Sequence, residues 1–281
     1  MSYHLSSSAF EEPELPALLK RLAAYFGGQG IPFYVVGAMA RDMVLGMIHG
    51  RKPSRKTNDL DIAIMVQDWN AYEKISADLG ANPDFTKCPN QKQRWYFKGA
   101  VTLDIVPFGE IAKADRHIYW PPDGTPAMSV SGFPAMAISA LEIILDEEAS
   151  IGVASLPGFF LLKLSAWKDR RYDRDAQDIA GILDEYLEIN LDRAARDHPD
   201  IFDQQEFTEL AAGAHLMGRD ICRLLAEDLP LREETRRILA DELARREESM
   251  LIGQILEIHR LKRYAEVRAA LALLESTLRK C

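Results

Sequence analysis

No stretch of this 281-residue chain is apolar over the length that a bilayer-spanning helix requires, so no membrane partner is expected. The opening residues, MSYHLSSSAFEEPELP, lack the basic and apolar regions of a signal or transit peptide. Cysteine is scarce. Cys88, Cys222 and Cys281 show neither a pairing pattern nor metal-ligand spacing, and the expectation is a reducing, cytoplasmic setting. Basic charge is also short. Lys and Arg total 34 against 43 Asp and Glu, a net charge of −9. That balance excludes a protein that coats nucleic acid non-specifically, which needs a phosphate-neutralising surface, but it leaves room for a local basic patch. His4, His49, His117, His198, His215 and His259 are scattered, so no histidine is assigned a role. Internal repeats and low-complexity tracts are absent.

What is present divides the chain in two. LPALLKRLAAYF reads as a helix from about Leu15 to Phe26, stopped by Gly27 and Gly28. FYVVGA is a short strand ending at Gly37, and MARDMVLGM resumes helical character. The segment 49–57, HGRKPSRKT, is a strongly basic loop that breaks the helix. A strand over Asp59–Val66 and a helix near Trp69–Leu79 follow. RWYFKGAVTLDIVPF reads as a hairpin turning at Lys98–Gly99, and SALEIIL with SIGVAS reads as another. After Ser155, which with Pro157 signals a helix start, almost everything has helical period. The expected domains are therefore 1–154, mixed α/β, and 155–281, all-α.

The chemistry starts at Asp59 and Asp61, which head an apolar run, Leu60 and Ile62–Val66. A buried strand disfavours carboxylates, because desolvating a charge costs several kcal/mol unless it is compensated. Residues two apart on a strand share a face, so these two would repel each other. A divalent cation compensates both. Asp104 repeats the pattern in VTLDIVPF, flanked by Leu103, Ile105 and Val106. Antiparallel pairing of its strand with Asp59–Val66 would bring it within reach of the other two. Three carboxylates form an oxygen-rich site suited to Mg²⁺ or Mn²⁺, and metal held so can activate an attacking oxygen and stabilise a leaving pyrophosphate. A single strand aspartate is more often a loop-bonded strand end. The combination carries the argument: strand, Gly37, helix, Asp-x-Asp, then a lone Asp. At Gly37 a backbone without a side chain can approach a triphosphate, and helix N–H groups point at the anion.

This pattern resembles the nucleotidyltransferase superfamily of the DNA polymerase β type. Residues Ser155–Tyr186, SLPGFFLLKLSAWKDRRYDRDAQDIAGILDEY, are similar to the Lys…Arg…Asp…Asp helix motif of AbiEii-type nucleotidyltransferases, toxin components of type IV toxin–antitoxin pairs. The resemblance implies an α+β fold, a nucleotidyltransferase palm with a mixed sheet followed by an all-α domain. It implies transfer of a nucleoside monophosphate from an NTP to an acceptor hydroxyl or amine. Asp59, Asp61 and Asp104 would be catalytic metal ligands. Gly37, Ala38, Arg41, Lys163, Arg170, Asp175 and Asp178 would serve nucleotide binding, with Lys163 meeting the triphosphate. Ala38 departs from the Gly-Ser or Gly-Gly of many members. VGAMARD is also similar to the VGGxVRD of CCA-adding enzymes, with Arg41 and Asp42 in place, but the Arg-Arg-x-Phe-Thr-x-Asn-Ala segment of those enzymes is absent.

Pattern alone also allows a plainer reading of Lys163–Asp178. It would be an amphipathic helix whose solvated face carries Arg171–Asp175 and Arg174–Asp178 pairs. The loop 51–56 could grip an acceptor's phosphates or be a solvated lid. Three functions stay open: a toxin acting on RNA or protein with an antitoxin partner, an enzyme modifying a small molecule such as an antibiotic, and a non-catalytic nucleotide-binding or antitoxin-interacting module.

Overall fold

The computed structural model describes residues 2–51, 57–203, 207–258 and 263–281. Two compact units, Met1–Phe159 and Phe160–Cys281, divide inside a helix, whereas the sequence suggested a boundary just before it.

In the first unit the strands are β1 (Ser2–Leu5), β2 (Phe33–Val36), β3 (Asp59–Met65), β4 (Phe85–Lys87), β5 (Arg94–Phe97), β6 (Val101–Phe108), β7 (His117–Tyr119), β8 (Ala127–Ser129), β9 (Leu141–Leu145) and β10 (Ala149–Val153). Eight of them form one mixed sheet in the order β1-β9-β10-β2-β3-β6-β5-β4, and β7 with β8 forms a separate ribbon. Both expected hairpins are present, β5–β6 and β9–β10. The first turns through Lys98 and Gly99, both at positive φ.

Helix α1 (Glu14–Gln29) puts Leu15, Leu18, Leu19, Leu22 and Phe26 on one buried stripe, the i, i+3, i+4 spacing of a core-facing helix. It runs through Gly27 and Gly28, contrary to the expected stop, and ends at Gly30 in the left-handed conformation. Tertiary packing of the stripe outweighs the modest helix penalty of two glycines. After β2 the chain enters α2 (Gly37–Arg41) and continues as a π-helical turn over Asp42–Ile48. Asp68 caps α3 (Trp69–Gly80), accepting from the Ala71 N–H at 2.9 Å. The short α4 (Phe133–Ile138) precedes β9.

The sequence reading paired β3 with β6 antiparallel; the structure pairs them parallel. Between them lie α3, β4 and β5: the helix returns the chain so that β4 runs in the direction of β3, and the two antiparallel steps β4–β5 and β5–β6 then restore that direction in β6. A parallel neighbour requires a crossover of this kind.

The second unit is helical throughout its described residues, as expected. Helix α5 (Leu156–Arg170) begins where Ser155 Oγ accepts from the Gly158 N–H, and α6 (Asp173–Ile189) follows. Then come α7 (Leu191–Asp197), α8 (Glu209–Leu224), α9 (Leu229–Ala244), α10 (Met250–Ile258) and α11 (Tyr264–Lys280). Helix α8 packs on both α6 and α11. Its buried face carries Leu210, Leu216, Met217 and Ile221.

One expectation fails here. Cys222 and Cys281 form a disulfide, with Cα atoms 6.1 Å apart across 59 positions of sequence. A Cβ on Gly218 would meet Thr277 Cβ at 3.0 Å, so the glycine lets α8 and α11 approach closely. Cys222 and Cys281 each lie one helical turn beyond that contact, which brings the two thiols together. Only Cys88 remains free.

Candidate active site

Asp59 and Asp61 stand two apart on β3 and therefore on one face. The register sets Asp59 against Thr102 and Asp61 against Asp104, so Asp104 projects from the same face on the adjoining strand. The neighbours Leu60, Ile62, Leu103 and Ile105 are all buried. The alternation that places three aspartates on one face thus puts these four apolar neighbours on the other.

Asp61 is pressed against Gly37. A Cβ built on Gly37 would lie 1.9 Å from Asp61 Oδ2, and Gly37 has φ +64°. Val36 pairs with Asp61 across β2–β3, which fixes this approach. Two requirements, a left-handed backbone and room for a carboxylate, both select glycine.

Asp104 is held by an arginine. Arg94 Nε donates to Asp104 Oδ1 at 2.8 Å and Nη2 donates to Oδ2 at 2.7 Å. The side chains are 29% and 15% exposed. Facing Asp104 chiefly, with Asp59 adding to the field, the Arg94 guanidinium is held above even its ordinary high pKa. The sequence reading did not single out Arg94, although the signal was there. The Lys98–Gly99 turn pairs Phe97 with Val101, and counting outward pairs Arg94 with Asp104. Beyond the pair, the Tyr96 hydroxyl donates to Cys88 Sγ at 3.7 Å. The Asn90 backbone N–H is the main cause holding that thiol below its ordinary range. Lys87 lies over the Trp95 ring at 4.4 Å, and burial pushes its ammonium down to about 8.

The three aspartates share a face, but among the described residues no three His, Cys, Asp or Glu side chains gather into a group able to hold a metal ion. Both oxygens of Asp104 are engaged by Arg94. The donor chemistry nevertheless fits a hard divalent cation, since every candidate ligand is a carboxylate oxygen.

The other expected site residues have definite places. Ala38 is buried beside Gly37 at the start of α2. Arg41 is 3% exposed and donates through Nε and Nη2 to Asp42 Oδ1 at 2.8 and 2.6 Å. A cavity of about 300 Å³ nearby is lined by Phe10, Met39, Asp42, Arg51, Thr57 and Asn58, among others. Of the basic loop expected to grip phosphates, residues 52–56 lie outside the described residues.

Lys163, Arg170, Asp175 and Asp178 do come together, inside the helical unit. Lys163 Nζ lies 2.7 Å from Asp178 Oδ2 and 3.5 Å from Asp175 Oδ1. Arg170 grips Asp175 through two bonds of 2.6 and 2.7 Å. Both aspartates are buried. The surface pairs of the plainer reading are not those formed. Arg171 Nη1 instead bonds Glu242 at 2.9 Å, and Arg174 lies 5.4 Å from the Tyr172 ring.

No family model matches the chain, and no curated protein matches it. Several solved structures show similarity. An antigenic nucleotidyltransferase-like protein from Paracoccidioides brasiliensis is 16% identical with a TM-score of 0.40, over 71% of this chain and 93% of that one. The antibiotic-resistance factor ANT(2'')-Ia is 14% identical with a TM-score of 0.35, over 68% and 96%. A CCA-adding enzyme in an apo form is 14% identical with a TM-score of 0.33, over 98% and 85%.

Proposed function

We propose that the chain is a metal-dependent nucleotidyltransferase that moves a nucleoside monophosphate from an NTP to an acceptor hydroxyl or amine and releases pyrophosphate. The observation that carries this reading is the register of β3 and β6, which sets Asp61 beside Asp104 with Asp59 two residues along the same face. Bound Mg²⁺ or Mn²⁺ would supply charge neutralisation at the phosphates. Asp59, Asp61 and Asp104 would hold it. Gly37 leaves the space in which Asp61 sits. Asp104 would also accept the proton that the acceptor loses as its oxygen or nitrogen attacks the α-phosphorus. The phosphorus–oxygen bond to the pyrophosphate then breaks, and pyrophosphate departs with the bonding pair. Positioning and charge neutralisation supply most of the rate in such transfers, so ligand carboxylates matter far more than surface charges.

The similarity of Ser155–Tyr186 to AbiEii-type enzymes supports RNA or protein as acceptor and an antitoxin protein as partner. It also supports Lys163 as a nucleotide contact, a role that would have to coexist with its pairing to Asp175 and Asp178. The bidentate Arg94–Asp104 pair favours a second reading, a nucleotide-binding module without catalysis. One experiment separates the two. The full chain is incubated with each α-labelled NTP, Mn²⁺ and total cellular RNA, protein or metabolites. Catalysis predicts label transfer to one acceptor class from one or more NTPs, lost in Asp59→Asn and Asp61→Asn. Nucleotide binding without transfer from any NTP would establish the module.

A further inference from the structure

On the site face, Asp104 has both oxygens bonded to one cation of the chain itself. The pairing is built into the sheet. The hairpin turn at Lys98–Gly99 puts Arg94 directly across from Asp104, and the two guanidinium nitrogens meet the two carboxylate oxygens edge to edge. That fork geometry is the strongest a carboxylate finds among side chains. The guanidinium does not lose its proton in a protein, so it leaves Asp104 only by displacement. Neither side chain is locked in the core, and Arg94 at 29% exposure has solvent beside it into which it can swing.

We propose, resting on the metal-dependent reading above, that Arg94 is a positioning residue. It holds Asp104 in the metal-free protein and competes with the divalent cation for that carboxylate. Metal binding then exchanges one cation for another on Asp104. The cost of the exchange weakens metal binding, because a charge-assisted bidentate pair must be broken before Asp104 can serve as a full ligand. Arg94 therefore sets the metal affinity of the site without being a metal ligand.

Mn²⁺ affinity of the full chain, measured by paramagnetic resonance of the free ion, tests this. Arg94→Gln should bind Mn²⁺ about tenfold tighter than wild type, the scale of one charge-assisted hydrogen bond. Arg94→Lys keeps the charge but loses the fork, so it should fall between the two. The decisive comparison is made in Asp104→Asn, where the contested carboxylate is gone. There Arg94→Gln should change affinity by less than about twofold, as expected of sites that no longer couple. An equal gain in both backgrounds would mean that Arg94 acts only through its net charge, and no gain, or a loss, in the wild-type background would mean that it merely braces the hairpin; either result overturns the proposal. Melting curves in EDTA establish that each variant is folded, with Arg94→Lys available should Arg94→Gln fail. If Mn²⁺ binding is insensitive to Asp59→Asn and Asp61→Asn, the metal reading fails and this proposal with it. If binding depends on those aspartates but not on Arg94 through Asp104, this proposal alone fails.

Discussion

At Gly37 the backbone takes φ +64° while the Asp61 carboxylate occupies the space that a side chain would need. Alanine there must bear a left-handed conformation and also push Asp61 aside, since no real Cβ sits 1.9 Å from an oxygen. Gly37→Ala should cost about 1–3 kcal/mol of stability, the scale of an enforced backbone outlier, and should remove Mn²⁺ binding by displacing Asp61. Thermal melts with EDTA and with Mn²⁺ check both parts; a variant that melts like wild type and still responds to Mn²⁺ would reduce Gly37 to a spacer. The sequence exposed Gly37, Asp59, Asp61 and Asp104 because carboxylates in apolar strands and a glycine between strand and helix are local anomalies. Arg94 looked ordinary, since an arginine opening a strand violates no local rule.

Elements show a second kind of limit. The segment Lys163–Asp178 reads as an amphipathic surface in sequence because its charges recur at helical spacing. The turn between α5 and α6 folds those charges inward, so that Lys163 and Arg170 of one helix meet Asp175 and Asp178 of the next. Helical spacing within one segment cannot reveal a pairing between two helices. Buried carboxylates that lose their cation are costly, so Lys163→Met should destabilise the helical unit by about 3–5 kcal/mol. Denaturant unfolding followed by circular dichroism measures this. A loss below about 1 kcal/mol, as at an exposed pair, would mean that Lys163 is not needed to hold the two aspartates and would favour the phosphate contact that the family resemblance implies.

Across the whole molecule, the Cys222–Cys281 bond ties the C-terminal residue to α8 through a long loop of sequence. Cross-linking restricts the unfolded chain, by about 2–4 kcal/mol for loops of this order. Reduction should lower the melting temperature of wild type, while Cys222→Ser should melt at the reduced value with or without reductant. Equal melting of the oxidised and reduced wild type would show that the bond contributes no stability. The same bond removes the cysteine count as support for a reducing environment, and among the described residues no helix is long and apolar enough to cross a membrane.

The sequence by itself determined the division into a mixed α/β half and a helical half, both hairpins, and the placing of Asp59 and Asp61 on one strand face. Each rests on periodicity and turn chemistry, which act within a dozen residues. Only the tertiary structure decided that β3 and β6 run parallel with Asp104 beside Asp61, that the α5 and α6 charges neutralise each other in the interior, and that two cysteines far apart in sequence meet. Those outcomes depend on which elements become neighbours. Burying the apolar faces of every element at once selects the neighbours, and the pattern of a single segment carries no record of that choice.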